Sequence, residues 1–399
     1  MRENSHLGAF PPCKGRSAVP VLLAILSPIL PRVLAGRPAP PLHSPDMRRA
    51  DVTTYLERLF PPGLAEPWDH SGLQVGPLSA PCRRIVVALD FDVALACELA
   101  EVDLVIVHHP LLFSPPERID PSTPLGEKLR ALLSSGTACY AVHTPYDVAR
   151  GGQGEYLAGL LGLQGVRPLS PRGELVKLAV FVPAGHVEQV AQALFSAGAG
   201  KIGRYGHCSF RTPGTGTFLP EEGTRPFIGE PGREEHVAEV RLETIVPRER
   251  LTQAIAAMRA AHPYEEVAFD LYPLLNRGEL HGLGRVGELP APAPAREVVE
   301  RFSHALGGAG AVGLYGPLDR EVRRVAICGG SGGSLWQEAL AAGAQLFLTG
   351  EVGYHQGLEA GEAGLAVAAL GHRETEYPFV AHVAALLEEK FPGLEVIQR

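Results

Sequence analysis

The sequence is poor in cysteine and has no basic stripe. Its six cysteines are scattered singly, without a CxxC pair, which excludes a disulfide framework and a sulfur-ligated metal site and is typical of buried thiols in a reducing compartment. Lysine and arginine number 36 against 44 aspartates and glutamates, for a net charge of -8. This balance argues against a nucleic-acid partner.

The sequence also lacks a long uninterrupted apolar run. The best candidate, VPVLLAILSPILPRVLAG, is broken by prolines and an arginine and is too short and irregular to span a bilayer. Met47 stands directly before the first amphipathic helix pattern, RRADVTTYLERLF. We therefore interpret residues 1–46 as a disordered leader or a mis-assigned start, and we expect a cytoplasmic protein with no membrane role.

From Met47 onward, apolar strands alternate with helices. The segments RRIVVALDF, DLVIVHH and TACYAVH have this character, and the pattern returns in VRRVAICGG, AQLFLTGE and LAVAALGH. Such alternation indicates a parallel sheet covered by helices on both faces. We predict an α/β domain with a doubly wound, mostly parallel sheet, formed by residues 47–171 and 285–399.

Between these two segments the periodicity changes. Residues 172–284 read as β-α-β-β-α-β, which is the order of a ferredoxin-like α+β unit. A chain of 399 residues also exceeds the length at which one core usually stops growing. We therefore predict that a ferredoxin-like insertion domain interrupts the α/β domain.

Polar side chains follow several of the predicted strands. Ligands of open parallel sheets bind outside the carboxyl ends of the strands, where the connecting loops converge. Residues at these positions are His108 and His109 after DLVIV, His143 and Asp147 after ACYAV, Glu351 after LFLT, and His372 and Glu376 after AVAAL.

Histidine and carboxylate without cysteine form a ligand set for zinc, manganese, iron or nickel. Adjacent residues of an extended segment point to opposite sides, so His108 and His109 are expected to serve two metals lying close together. Asp147 is then the candidate bridge, with His372 and Glu376 on the other side. His143 fits either a direct ligand or a residue that orients Asp147.

Two further features are weaker candidates. Glu351 and His355, in TGEVGYH, are expected to line the pocket. The loop CGGSGGS follows a strand, so its amides could hold an anion. It lacks the GxGxxG spacing of a dinucleotide-binding loop.

Five motifs together resemble the NIF-three-like dinuclear-metal family, whose members are often called GTP cyclohydrolase I type 2 homologues. These motifs are WDHSGLQVG, DLVIVHHPLLF, HTPYDVARGG, LTGEVGYHQGLEA and GHRETE. The resemblance implies a toroidal homohexamer, two divalent cations per subunit (zinc, iron or manganese) and an insertion similar to PII and CutA proteins. By motif position it implies the metal ligands His108, His109, Asp147, His372 and Glu376.

This sequence departs from the usual family pattern at two places. His70 replaces the asparagine that usually follows the Trp-Asp pair, and HTPYD replaces the commoner HTNLD. Both changes are expected to alter the lining of the pocket without removing a ligand.

The resulting hypothesis is a metal-dependent hydrolase. A metal-bridging hydroxide would attack a small-molecule substrate, namely a nucleotide, a phosphoester or a cyclic amide. Glu351, His355 and His143 are the candidate catalytic side chains. The alternative is a non-catalytic metal-binding scaffold or regulator, whose insertion senses a ligand or docks a partner.

Overall fold

The computed structural model describes residues 47–308 and 310–399. The interpretation of residues 1–46 as a leader falls outside these ranges. Within them, no helix combines the length and the apolar character needed to cross a bilayer.

The first part of the described chain alternates helices with short strands. Strands β2, β3 and β4 pair in parallel, and all residues of β3 and β4 are buried, as expected for strands covered on both faces. The elements of this part are α1 (Arg49–Leu59), β1 (Gly72–Val75), β2 (Arg84–Ala88), α2 (Val93–Ala96), β3 (Leu104–Val107), α3 (Pro124–Ser135), β4 (Ala138–Ala141), α4 (Thr144–Val148), α5 (Gln153–Leu160) and β5 (Gln164–Pro168).

The middle part folds in the β-α-β-β-α-β order expected for residues 172–284. Its four strands form an antiparallel sheet in the order β7-β8-β6-β9, and its helices pack on that sheet through a core cluster of their own. The elements are β6 (Arg172–Pro183), α6 (Val187–Ser196), β7 (Ser209–Phe218), β8 (Glu235–Pro247), α7 (Leu251–Ala261) and β9 (Phe269–His281).

The last part returns to α/β alternation. Strands β12, β13 and β14 pair in parallel. The elements are β10 (Arg285–Pro294), α8 (Ala295–Ala305), β11 (Gly313–Tyr315), β12 (Glu321–Cys328), α9 (Trp336–Ala341), β13 (Leu346–Thr349), α10 (Tyr354–Glu362), β14 (Ala366–Ala369), α11 (His372–Glu376), α12 (Pro378–Lys390) and β15 (Glu395–Gln398).

The α/β class and the interrupting α+β unit are confirmed, but the α/β strands are divided between two sheets. One sheet has the order β1-β4-β3-β2-β15 and the other has the order β11-β14-β13-β12-β10-β5. Helix α12 packs in the core cluster of the first sheet, where Phe379, Val383 and Leu387 join Ile85 and Leu104. The end of the chain therefore returns to the first sheet, and β15 pairs with β2 in parallel.

Candidate metal centre

His108 follows the last residue of β3 and is fully buried. Its Nδ1 lies 3.2 Å from the carbonyl oxygen of Val142, and a carbonyl only accepts hydrogen bonds, so Nδ1 donates a hydrogen bond to it. Its Nε2 lies 3.7 Å from both Asp147 Oδ1 and Glu376 Oε1. The ring is thus held in the tautomer that a metal ligand needs.

His109 reaches the same glutamate from another side. Its Nε2 lies 2.9 Å from Glu376 Oε2, and its Nδ1 lies 2.8 Å from Asp90 Oδ1. Burial by itself would lower the pKa of His109, but the Asp90 and Glu376 carboxylates raise it to about 10. Without a cation, this ring is therefore held as an imidazolium between two acids.

Glu376 occupies the centre of the cluster. His372 and Glu376 are four residues apart on α11, which places them on one face of the helix, and His372 Nε2 lies 2.9 Å from Glu376 Oε2. Burial would raise the pKa of the Glu376 carboxyl, but the imidazoles of His108, His109 and His372 hold it well below its usual range. Glu376 thus takes the central position that we had expected for Asp147.

Asp147 lies at the edge of the cluster, on α4. Its nearest ionisable partner is His108, at 3.7 Å, and its side chain is 13% exposed. Burial raises the pKa of Asp147 to about 7, against the opposing effect of His108. A nearby positive charge stabilises the ionised form of such a buried carboxyl and lowers its pKa.

His143 directly precedes α4 and is oriented by Asp69. Its Nδ1 lies 2.8 Å from Asp69 Oδ1, while Asp69 Oδ2 accepts hydrogen bonds from the amide of Thr144, at 3.1 Å, and from its hydroxyl. Burial opposes ionisation of Asp69, but these donors hold its pKa well below the usual range. The partner of His143 is therefore Asp69 rather than Asp147, which favours the direct-ligand alternative for His143.

Among the described residues, two groups of three potential ligands overlap at His109. Within each group, one ligand atom per residue lies within 4.8 Å of the others. The groups are His108, His109 and His143, and His109, His372 and Glu376.

The buried polar atoms of the cluster fit a bound cation. His108 Nε2 and Asp147 Oδ1 are buried and make no hydrogen bond, while two imidazole nitrogens crowd Glu376 Oε2 at 2.9 Å. A buried polar atom without a partner costs about 1–3 kcal/mol. Imidazole and carboxylate ligands suit zinc, iron and manganese, so divalent cations would satisfy both of the unpartnered atoms.

The glycine loop lies directly against the central carboxylate. Gly330 has a φ of +60°, and a Cβ at this position would come 2.1 Å from Glu376 Oε1. Its amide donates to Thr375 Oγ1 at 3.0 Å, so this amide is not free to hold an anion as we had expected. The loop instead needs glycine at position 330 because its backbone closely approaches Glu376.

Glu351 and His355, the two weaker candidates, have different surroundings. Glu351 accepts a hydrogen bond from the Ser331 hydroxyl and lies 3.2 Å from His372 Nδ1, and these two partners lower its pKa. His355 is exposed on α10, with its ring centroid 5.3 Å from that of Tyr354. No hydrogen bond or ion pair joins His355 to the cluster in the described part of the chain, so the structure brings only Glu351 to the site.

The roles of Asp90 and Asp69 were not predicted from the sequence. Asp90 follows β2, so the rule that selected His108 and His372, a polar residue just after a buried strand, also selects Asp90. Asp69 lies in the WDHSGLQVG motif, but nothing in the spacing of that motif indicated that it orients His143.

The chain is similar to known proteins over nearly all of its described length. The profile of the family Duf34/NIF3 (NGG1p interacting factor 3) matches residues 47–398. A GTP cyclohydrolase 1 type 2 homolog of Halalkalibacterium halodurans is 40% identical over 325 residues, which cover 80% of this chain and 87% of that protein. A protein with the same name from Mycobacterium tuberculosis is 38% identical over 350 residues, which cover 86% of this chain and 92% of that protein.

The fold agrees with this sequence similarity. The crystal structure of a Bacillus cereus protein related to NIF3 superposes with a TM-score of 0.69 at 38% identity, covering 89% of this chain and 97% of that chain. Because both the family profile and these relatives cover most of the chain, we conclude that this protein is a member of the Duf34/NIF3 family.

Proposed function

We propose that this protein is a metal-dependent hydrolase that holds two divalent cations, zinc, iron or manganese, at the cluster around Glu376. The observation that carries the proposal is the convergence of three imidazole nitrogens on one buried carboxylate. The proposed ligands are His108, His109, Asp147, His372 and Glu376, with His143 as a further candidate from the first group of three.

The arrangement around Glu376 supports two cations rather than one. Its Oε1 faces His108, while its Oε2 faces His109 and His372. A carboxylate with its two oxygens turned toward different imidazoles is suited to bridge two metal ions. Asp147, beside His108, would then be a further ligand of the cation on the His108 side.

Each histidine of the cluster has an oxygen atom facing its Nδ1. Such partners fix the tautomer and the ring orientation of metal-binding histidines, and they leave Nε2 available for a ligand bond. The pairs are His108 with the Val142 carbonyl, His109 with Asp90, His143 with Asp69 and His372 with Glu351.

Hydrolysis would depend on the cations and on the side chains that surround them. Divalent cations lower the pKa of bound water and neutralise the negative charge that develops in the transition state. Glu351 is largely exposed beside His372, so it is placed to exchange protons with a substrate or to orient it. His143, whose Nδ1 is paired with Asp69, has the same role where it does not bind a cation. His355 has no such contact in the described residues, and we do not include it in the proposed mechanism.

The proposed substrate is a nucleotide, a phosphoester or a cyclic amide. The name of the relatives, GTP cyclohydrolase 1 type 2 homolog, supports a nucleotide among these. We also propose that the protein is a cytoplasmic homohexamer. Unpaired Cys82, Cys97, Cys139, Cys208 and Cys328 are consistent with a reducing compartment, and the family resemblance supports the hexamer.

The test compares wild type with Glu376→Gln, which keeps the size of the side chain but removes its charge. Each protein is loaded with zinc, manganese or iron and assayed on nucleoside triphosphates, phosphodiesters and cyclic amides. Glu362→Gln, on the exposed end of α10, is the matched control. We expect hydrolysis by wild type and the control. Glu376→Gln should lose at least the roughly 10–100-fold that follows removal of a residue which only orients a ligand.

Two results would contradict the proposal. Equal hydrolysis by wild type and Glu376→Gln would show that the cluster does not carry the reaction. Tight metal binding without hydrolysis of any of these substrates would favour the alternative, a non-catalytic metal-binding scaffold or regulator.

A further inference from the structure

Two large aromatic side chains are exposed beside the cluster. Trp68 is 54% exposed and Phe113 is 53% exposed, and their ring centroids lie 6.0 Å apart. The ring of His70 lies 6.3 Å from that of Phe113. We call Trp68, His70 and Phe113 the aromatic rim. A compact group of exposed aromatic rings next to a polar site is typical of a binding surface.

The aromatic rim packs directly against His143, a candidate metal ligand. The edge of the His143 imidazole meets Trp68 at 5.7 Å and Phe113 at 6.2 Å, with interplanar angles of 71° and 69°. Trp68 also directly precedes Asp69, whose side chain is fully buried and bonded to His143. The position of the rim is therefore fixed relative to the cluster.

The charge of the site indicates which part of a ligand the rim would hold. In the described part of the chain, no lysine or arginine is hydrogen-bonded or ion-paired to a side chain of the cluster or the rim. An anionic group would therefore be held by the cations, and the exposed rings of the rim offer a surface for the uncharged part of a ligand. Exposed aromatic faces bind planar rings by stacking, with little dependence on the identity of the ring.

We propose that the aromatic rim binds the planar heteroaromatic ring of the ligand by stacking on Trp68, with Phe113 as the neighbouring wall. This inference rests on the proposed function and narrows its substrate class to ring-bearing compounds, such as nucleosides and nucleotides. The other possible occupant, a second copy of this chain covering the rim, is an outcome of the test below.

The chain contains only two tryptophans, Trp68 and Trp336, which makes the rim observable. In a Trp336→Phe variant, Trp68 is the only indole, and its fluorescence reports on the rim alone. The metal-loaded variant is titrated with guanosine, with adenosine and with ribose 5-phosphate, which lacks a planar ring. We expect saturable quenching by both nucleosides and none by ribose 5-phosphate.

Calorimetric titration with guanosine measures the contribution of each ring. We expect Trp68→Leu to weaken nucleoside binding by about 10-fold or more, and Phe113→Leu to weaken it by a smaller factor, since base stacking on one aromatic side chain contributes to this extent. Tyr205→Leu is the matched control, because Tyr205 is an even more exposed aromatic residue, at 76%, in the middle part of the chain. Circular dichroism spectra identical to wild type establish that the variants are folded.

Three results would overturn the inference. The first is Trp68 fluorescence that does not respond to either nucleoside, and the second is equal guanosine affinity of wild type and Trp68→Leu. The third is Trp68 fluorescence that changes on protein dilution but not with nucleoside, which would mean that a second copy covers the rim. Titration of Glu376→Gln separates this inference from the proposed function. Nucleoside binding that persists in that variant supports the rim whether or not the protein hydrolyses a substrate.

Discussion

Replacing Gly330 by alanine tests whether the position of Glu376 controls metal binding. A Cβ at Gly330 would lie 2.1 Å from Glu376 Oε1 and 3.6 Å from His372 Nε2. Real Cβ contacts are essentially never under 3.0 Å, so the carboxylate or the loop must move by about 1 Å. Metal-ligand distances tolerate only about 0.2 Å, and the displaced carboxylate can no longer keep its present geometry.

The expected magnitude follows from two separate effects. Gly330 has a φ of +60°, so alanine there costs about 1–2 kcal/mol of folding stability through backbone strain alone. Loss of a residue that merely orients a metal ligand lowers metal affinity by about 10–100-fold. We expect at least that loss for a displaced ligand, which corresponds to about 1.4–2.7 kcal/mol of binding free energy.

Gly162→Ala is the matched control for the strain. Gly162 has a φ of +65°, and no heavy atom lies within 4 Å of its added Cβ, so alanine there strains the backbone without a clash. Urea unfolding of the metal-free proteins should show similar losses of stability in the two variants. Calorimetric titration with zinc should show weakened binding in Gly330→Ala only. Zinc binding by Gly330→Ala that is as tight as binding by Gly162→Ala would refute the reasoning.

Three further predictions concern stability. The fully buried Arg285 donates to Glu155 and to the carbonyls of Val148 and Ala149, so Arg285→Met should lower the free energy of unfolding in urea by about 3–5 kcal/mol; an unchanged midpoint would contradict this. Burial lowers the pKa of His382 from 6.5 to about 4, so stability should fall as pH decreases from 6.5 toward 4, because only the unfolded chain takes up the proton. The slope is at most about 1.4 kcal/mol per pH unit, and a His382→Gln variant with the same slope in a series of thermal melts would disprove the assignment. Zinc at about 100 times its Kd should stabilise the metal-free protein by about 2.7 kcal/mol, and a thermal shift that is retained in His109→Ala would exclude the cluster as its origin.

The proximity of most side chains of the cluster could be predicted from the sequence. His108 and His109 follow β3 of the first sheet, whereas His372 and Glu376 follow β14 of the second. The rule that ligands bind at the carboxyl ends of strands therefore selected residues that do meet, although their strands do not share one edge. The division of these strands between two sheets could not be inferred. Segments such as LVIV and LFLT are equally short and equally buried, and their partners are decided by tertiary contacts such as the packing of α12 on the first core.

The roles of the two carboxylates also depend on information that the sequence lacks. Spacing placed Asp147 and Glu376 near the histidines, but it did not give the direction of either side chain. Glu376 has the longer side chain and lies on the same face of α11 as His372, which brings it within reach of three imidazoles. Asp147 contacts only His108 among them, so the structure brings Glu376 rather than Asp147 to the centre of the cluster, and the bridging role of Asp147 stays a prediction.

The central claim is that the cluster around Glu376 binds divalent cations, and metal content tests it most directly. Elemental analysis is carried out on protein purified without added metal, for wild type, His108→Ala and Glu376→Ala. We predict about two metal equivalents per chain in wild type and about one or none in each variant, because both residues lie in the proposed ligand set. Wild-type protein without divalent metal, or variants that retain its full metal content, would contradict the account.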